Sequence, residues 1–305
     1  MFPCYKVSYL KITSSRVLVD PIGPFDFLGT NSLRRLECEN IGYIFDCPIA
    51  WGSLTHLMAS NLKFSLADNN ALFRLLRRCT HLEACALEFE KQRLHPAIVI
   101  GVDHNPFSLP RLRHFSIKHP LYYPGGGAHF LDNLALSGLR SFSCEFLAGS
   151  LPADPLRFLF PLFIDRLECL KVNVKLFPSE VLLAALAIMP VLEELHIVGE
   201  PVTPERRRDP LFFTQLVPEL CPRLQRVELS DFKALSDATI LEFILSRSQL
   251  QNVVRLARFS CRLQRDMQRD VLPALESTGC VVDLKYDSVP PAYSLFEWAP
   301  THVEH

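Results

Sequence analysis

Apolar residues recur along this chain in one fixed spacing: an apolar residue, two residues, a second apolar residue, one residue and a third apolar residue. The stretch LRHFSI, residues 112–117, has this spacing, and LQRVEL, residues 224–229, repeats it. Nine copies begin at Val7, Leu33, Leu54, Leu82, Leu112, Leu139, Leu167, Leu192 and Leu224. Alternation of apolar and other residues is typical of a strand with one buried face, so each copy predicts one strand.

The copies are spaced like the units of a repeat protein. Successive copies begin 26, 21, 28, 30, 27, 28, 25 and 32 residues apart, and periods of about 20–29 residues are typical of leucine-rich repeats. Apolar residues at helical spacing predict helices at 66–79, 158–164, 179–189, 210–220 and 236–246. Pro110, Pro190 and Pro222 stand two residues before a strand's first leucine, where proline ends a helix. Strand and helix therefore alternate.

This alternation predicts the shape of the molecule. One strand and one helix cannot bury their apolar faces alone, so the units stack on their neighbours. Strands lie about 4.8 Å apart and helices are about 10 Å across, so the stack curves with the strands inside. The sequence predicts an α/β leucine-rich-repeat solenoid, a horseshoe with a parallel concave strand ladder and convex helices. A doubly wound α/β domain is the alternative, but its strands would be continuous apolar runs.

The predicted solenoid occupies residues 1–286. Its last part, about 253–286, is predicted to be a cap that closes the end of the ladder, with an irregular strand at 253–260, a helix at 264–277 and a final strand at 280–286. Residues 287–305 form a tail rich in proline and aromatic residues, which packs on the cap or serves as a docking motif.

The repeats, with the sequences CPRL and MPVL before strands and VLPALESTGCVVDLKY near the chain's end, resemble the leucine-rich-repeat part of fungal F-box proteins. The resemblance implies a substrate receptor, in which an F-box docks on the adaptor of a cullin-type ubiquitin ligase and the repeats hold the protein to be ubiquitinated. Two features depart from the family. The usual Asn or Cys three residues after the third apolar position is absent, and there is no room for an F-box before Val7. The segment LPADPLRFLFPLF at 151–163 imitates an F-box opening but is interpreted as a repeat helix.

The missing F-box leaves two alternatives for the protein's role. A gene model without its first exon would give the substrate-recognition part of a ligase receptor. A repeat protein that binds without recruiting a ligase would be a stand-alone adaptor or scaffold.

Charge and cysteine content restrict the partners and the compartment. There are 32 Lys and Arg against 33 Asp and Glu, so no global field favours nucleic acid or anionic lipid. No signal peptide or membrane-length apolar run is present. Ten cysteines without a CxxC pair predict reduced thiols and a cytoplasmic or nuclear protein. We expect a monomer whose partner is a protein, with no nucleic acid and no membrane.

The positions between the apolar residues of each strand predict the partner-binding surface. They place Arg113, His114 and Arg140 in a basic centre that passes into an acidic patch of Glu168, Glu193 and Glu194. Like charges on neighbouring strands cost stability unless a ligand or flanking charges compensate. The alternative is structural: Glu83 and Glu168 neutralise the two arginines.

Two loops at the strands' carboxyl ends are further candidates for partner contact. One carries Tyr122 and Tyr123 beside three glycines, and the other carries Arg206, Arg207 and Arg208. The glycines lack the lysine of a P-loop and the spacing of a dinucleotide fingerprint. The three arginines either contact an acidic partner or form a solvated turn.

Catalytic motifs are missing from the sequence. There is no GxSxG, HExxH or P-loop and no metal-spaced Cys/His cluster. Cys38, Cys85 and Cys144 fall on buried positions, whereas Cys169 should face the concave surface. His56 and His114 share a column but are separated by Ala84. The sequence thus predicts a protein-binding module that is not an enzyme, with no cofactor and no metal site; an enzyme using the glycine-rich loop is the remaining alternative.

Overall fold

The computed structural model describes residues 7–12, 31–39, 49–62, 66–90, 107–118, 134–145, 164–174, 178–201, 212–215 and 220–287. The strands in these ranges are β1 Tyr9–Ile12, β2 Arg35–Glu39, β3 His56–Leu62, β4 Ala84–Phe89, β5 Phe107–Ser108, β6 His114–Lys118, β7 Leu134–Ala135, β8 Ser141–Glu145, β9 Cys169–Asn173, β10 Glu194–Val198, β11 Arg226–Phe232, β12 Arg258–Leu263 and β13 Val281–Tyr286. The α-helices are α1 Leu66–Arg78, α2 Ser179–Ala187, α3 Phe212–Gln215, α4 Asp237–Gln249 and α5 Leu272–Leu275.

Eleven of the strands form one parallel sheet, the main sheet. Its order follows the chain, β1-β2-β3-β4-β6-β8-β9-β10-β11-β12-β13. Leu36 pairs with Leu57, which pairs with Cys85, and these are the second apolar residues of their copies. The same alignment holds along the ladder, so all nine predicted copies are strands in register. The molecule is an α/β structure with one long parallel ladder.

The apolar positions of the copies form the core on one side of the main sheet. The second and third apolar residues of every copy from Leu33 to Leu224 are buried, and so is each leading leucine. Each leading leucine follows a turn; the N–H of Leu112, for example, donates to the carbonyl of Leu109 (3.1 Å). Pro110 is the second residue of that turn, a position its fixed φ favours. The prolines therefore mark the predicted boundaries.

Within the described ranges, the segments between the strands of the main sheet contain both helical and other elements. Helices α1, α2 and α4 confirm the predictions at 66–79, 179–189 and 236–246. A short 3₁₀ helix, Trp51–Ser53, precedes β3, and β5 and β7 pair as a separate two-stranded parallel sheet. The helix predicted at 210–220 is described only as α3, and residues 158–163 lie outside the described ranges.

The elements predicted near the carboxyl end occur in the predicted order, but the first strand and the helix have other bounds. The strand expected at 253–260 is β12, and it carries a tenth copy of the apolar spacing at Leu256, Phe259 and Cys261, all buried. The helix predicted at 264–277 is confirmed only at its carboxyl end. Only α5 and a 3₁₀ turn, Glu276–Thr278, are helical there, because the buried carboxylate of Asp237 holds the segment before them in another conformation.

Neighbouring copies are also linked by one buried side chain at the place of the missing Asn. Glu200 occupies the position three residues after Ile197, the third apolar residue of its copy. It is buried, and its carboxylate accepts the backbone N–H groups of Lys233 (2.5 Å) and Ala234 in the next unit. Acceptance of backbone donors satisfies the charge. A carboxylate thus bridges two neighbouring units of the ladder.

Candidate binding surface

The face of the main sheet opposite the core, here called the open face, is defined by two columns of side chains. Each strand contributes two residues that alternate with buried ones. The first column is Tyr9, Arg35, His56, Ala84, His114, Ser141, Cys169, Glu194, Arg226, Arg258 and Val281. The second is Lys11, Glu37, Met58, Ala86, Ser116, Ser143, Lys171, His196, Glu228, Ser260 and Asp283.

The two polar positions that lead each copy are not equivalent. The strands begin at the second of them, as at His114 in β6, whereas Arg113 lies before the strand and is exposed at the amino end of the sheet. Arg140, Glu168 and Glu193 take the same place before β8, β9 and β10. Two consecutive residues of a strand cannot face one side. The leading residue of each copy therefore lies at the amino end of the sheet, outside the two columns of strand residues on the open face.

A depression of about 320 Å³ lies on the open face. We call it the groove. It crosses β2, β3, β4, β6 and β8, and its lining includes Arg35, Glu37, His56, Met58, Ala84, Ala86, His114, Ser116, Ser141 and Ser143. Alanine and serine supply the residues of β4 and β8. Small side chains at the middle strands leave space that the larger side chains on β2 and β3 enclose.

Met58 is a large apolar side chain in the wall of the groove. Half of its surface is exposed (50%) although it is a large apolar residue. Beside it, His56 is held by a hydrogen-bond contact of 2.9 Å between its Nδ1 and the Thr55 hydroxyl. An exposed, adaptable thioether next to polar side chains is typical of surfaces that bind other proteins.

Charged pairs lie on the open face beyond the groove and also, for Arg140 and Glu168, at the amino end of the sheet. Arg140 pairs with Glu168, and Arg226 pairs with Glu194. His196 Nδ1 lies 2.9 Å from Glu228 Oε2, and its Nε2 lies 3.8 Å from Glu194 Oε2. The pairing of Arg140 fits the structural alternative, in which flanking glutamates neutralise the arginines. Such exposed pairs contribute about 0–1 kcal/mol each.

The structure therefore separates the predicted site residues. His114 lies in the groove lining, whereas Glu194 lies three main-sheet strands further along, in β10. Arg113, Arg140, Glu168 and Glu193 lie at the amino end of the sheet. Tyr122, Tyr123, Arg206, Arg207 and Arg208 lie outside the described residues. The predicted sharing of a column by His56, Ala84 and His114 is confirmed by the register.

Sequence reasoning missed the second column of the open face. Met58, Ala86 and Ser143 in the groove belong to it, and so does His196. The signal was present, because the single residue between the second and third apolar positions must face away from the core. Among the described residues, Cys169, Glu194 and His196 bring sulfur, oxygen and nitrogen donors within 4.8 Å of one another.

A buried ionic network supports β11 to β13 from behind. Asp237, at the start of α4, is completely buried. It accepts hydrogen bonds from Arg265 Nη2 (2.5 Å), the backbone N–H groups of Gln268 (2.7 Å) and Arg269 (2.8 Å), and the Tyr286 hydroxyl (3.1 Å). Burial raises the pKa of Asp237, but the hydrogen bonds from Arg265, Arg269 and Gln268 outweigh it and hold the pKa below its ordinary value. These contacts hold the first part of the segment predicted as a helix at 264–277, which is not helical.

The described cysteines are all free thiols. Cys38, Cys85 and Cys144 are buried as predicted, and burial raises the pKa of Cys38 to about 12. Such thiols stay protonated and act as small apolar groups. Cys169 is the exception on the open face, where it is half-buried in β9.

No model of a known protein family matches the chain, and no curated protein sequence matches it. None of the helices in the described part of the chain is long and apolar enough to cross a membrane.

Proposed function

We propose that this protein is a leucine-rich-repeat solenoid that binds another protein on its open face, as the substrate-recognition part of an F-box-type ubiquitin-ligase receptor. The groove carries this proposal. A depression that crosses five adjacent strands on one face is expected where a sheet curves toward that face, as it does when a parallel ladder has bulkier crossovers behind it. Repeat proteins use such surfaces to hold partners.

The chemistry of the groove favours a short protein segment as the occupant. Its floor of alanine and serine accepts a backbone at close range, and Met58 offers one apolar anchor. Arg35 and Glu37 at one end carry opposite charges, so the groove selects no single sign of charge. Binding would take place in the cytosol or nucleus, where the free thiols stay reduced.

Site-specific photo-crosslinking tests binding at the groove. A photoreactive amino acid is placed at Ser143 in the groove and, as the matched control, at exposed Glu180 on α2. We expect a partner that crosslinks from Ser143 and not from Glu180, and we expect M58D to remove it. Equal crosslinking from both positions would exclude the groove as the binding site.

The ligase role is separated from a stand-alone adaptor or scaffold by the fate of the crosslinked partner. A tag at the carboxyl end of the endogenous gene allows native purification and intact-mass measurement. A ligase receptor should copurify with an adaptor and a cullin, exceed 34.7 kDa by about an F-box, and shorten the partner's half-life unless M58D is present. An unchanged half-life with neither subunit present would leave the scaffold function.

A further inference from the structure

Three donor side chains on β9 and β10 form a group that the proposed protein-binding role does not use. Cys169 and Glu194 are partners in one rung of the main sheet, and His196 is two residues along β10. Their Sγ, carboxylate and ring-nitrogen atoms lie within 4.8 Å of one another, and all three residues are half-buried. We infer that Cys169, Glu194 and His196 bind a divalent transition-metal ion, with zinc the best fit.

The distances suit a metal after small side-chain adjustments. Zinc holds sulfur at about 2.3 Å and nitrogen or oxygen at about 2.0–2.2 Å, so tetrahedral ligand atoms stand roughly 3.5 Å apart. Rotation of half-exposed side chains closes the remaining ångström. The backbone that carries them is two hydrogen-bonded strands in the middle of the ladder, which fixes the positions of the three Cα atoms.

A neighbouring carboxylate prepares the histidine for this role. Glu228 lies next to His196 in the adjacent strand, with its Oε2 atom 2.9 Å from His196 Nδ1. Because a carboxylate only accepts, Nδ1 carries the proton and Nε2 has the free lone pair, which lies on the side of Glu194 Oε2 at 3.8 Å. A carboxylate behind the distal nitrogen is the arrangement that metal-binding histidines usually have.

The surrounding charges are compatible with a divalent cation. Arg226 pairs with Glu194 through Oε1, so Oε2 remains for the metal. Lys171 is the second nearby cation, next to His196 in the register. The negative groups are the carboxylates of Glu194 and Glu228 and the Cys169 thiolate that metal binding would form, so they outnumber the two cations. Sulfur with imidazole nitrogen selects zinc over magnesium or calcium, which prefer oxygen alone.

Three protein ligands leave a fourth tetrahedral position. The donors project from the open face, so that position faces solvent, and water fills it in the free protein. The site lies one strand beyond Ser141, at the edge of the groove. It does not depend on the proposed function, since metal binding is measured without any partner.

Cobalt titration of the purified, reduced full chain tests the site. We expect one equivalent to give a thiolate-to-cobalt charge-transfer band, and zinc to abolish it. C169S should lose the band, H196A should weaken binding at least about tenfold, and E228Q should weaken it about tenfold through loss of the orienting carboxylate. C280S and H56A are matched controls for thiol and imidazole, and should bind as the wild type does.

The result that overturns the inference is a wild-type chain without the band, or a band that survives in C169S. An equal loss in C280S would overturn it as well, because the metal would then lie elsewhere. Circular dichroism of every variant confirms that it is folded. Zinc should raise the melting temperature of the wild type and not that of C169S, since only a binding-competent folded state gains from the ion.

Discussion

The open face has two regions that differ in chemistry although they share one sheet and one register. The groove region, on β2, β3, β4, β6 and β8, carries Arg35 and Glu37 at one end; its other open-face residues are His56, Met58, Ala84, Ala86, His114, Ser116, Ser141 and Ser143. The charged region, on β9 to β12, presents Cys169, Lys171, Glu194, His196, Arg226, Glu228, Arg258 and Ser260. Strands with the same backbone register therefore carry different side-chain chemistry in the two regions of the open face.

The buried side of the main sheet also differs between the groove region and the charged region. The charged side chains that are buried among the described residues, Glu200, Asp237 and Arg247, all belong to the carboxyl-terminal part of the ladder. Arg247 donates to the carbonyls of Leu220, Cys221 and Leu224, which fixes the turn before β11. The charged region is thus held by ionic groups on both sides of the sheet, whereas the groove region rests on close apolar packing.

Among the changes that distinguish the two regions, D237N is expected to cause the largest loss of folding stability. The change removes the negative charge that Arg265 faces in the interior and weakens the acceptor for the N–H groups of Gln268 and Arg269. Removing one partner of a buried pair costs about 3–5 kcal/mol. Urea unfolding should show this loss of stability, and exposed D266N, as the control, should show none. Equal stability of the two variants would contradict the ionic support of the charged region.

Lowering the pH should destabilise the charged region before it destabilises the groove region. The pKa of Asp237 is lower in the folded protein than its ordinary 3.8. The stabilisation is therefore fully present above the unfolded pKa and is lost as the pH falls through the folded pKa. Hydrogen exchange at decreasing pH should show β12 and β13 losing protection before β4 and β6. Simultaneous loss in all four strands would show that the regions unfold as one.

A smaller loss is expected in the groove region from G138A. A Cβ at Gly138 would overlap the carbonyl oxygen of Pro110, so the turns of neighbouring units must move apart. Overpacking of this kind costs about 1–3 kcal/mol. G52A is the matched control, because its Cβ would lie 3.6 Å from the nearest atom, the Arg78 oxygen. Thermal denaturation should separate the two variants, and equal melting temperatures would refute close packing at this turn.

The smallest effect is expected from R226Q in the charged region. The ion pair with Glu194 is partly exposed, so its loss costs roughly 0.2–1 kcal/mol. Salt screens such a pair. The difference from the wild type should shrink between low and high ionic strength in urea unfolding. A difference that persists at high salt would show that Arg226 stabilises the sheet through packing.

The strands of the ladder could be predicted from the sequence, because the leading leucine and the alternation of apolar residues that mark each strand lie within six consecutive residues. Leu256 begins a tenth copy by the same rule, and the strand predicted at 253–260 begins three residues before it. The helix predicted at 264–277 is too long for a different reason. Asp237 binds the backbone of that segment from about thirty residues away, and no local pattern encodes such a contact.

The candidate sites depend even more on the register. Cys169 and His196 are remote in sequence, and only the pairing of β9 with β10 brings their donors together. The groove likewise arises from small residues on β4 and β8 that become neighbours of β6 in the folded sheet. The sequence alone predicts that a partner binds on the open face. Dividing that face into a groove region and a charged region requires the strand order of the structure.

The consecutive order of the main sheet also determines how the molecule would respond to a pulling force. With one strand per unit and parallel neighbours, a load applied between Tyr9 and Tyr286 acts on the rungs in series, because each strand is hydrogen-bonded only to its two neighbours in the sheet. Extension should then proceed as a sequence of similar, low-force steps from the ends inward. The Glu200 carboxylate adds two hydrogen bonds between its unit and the next, and these would have to break together with the rung they bridge.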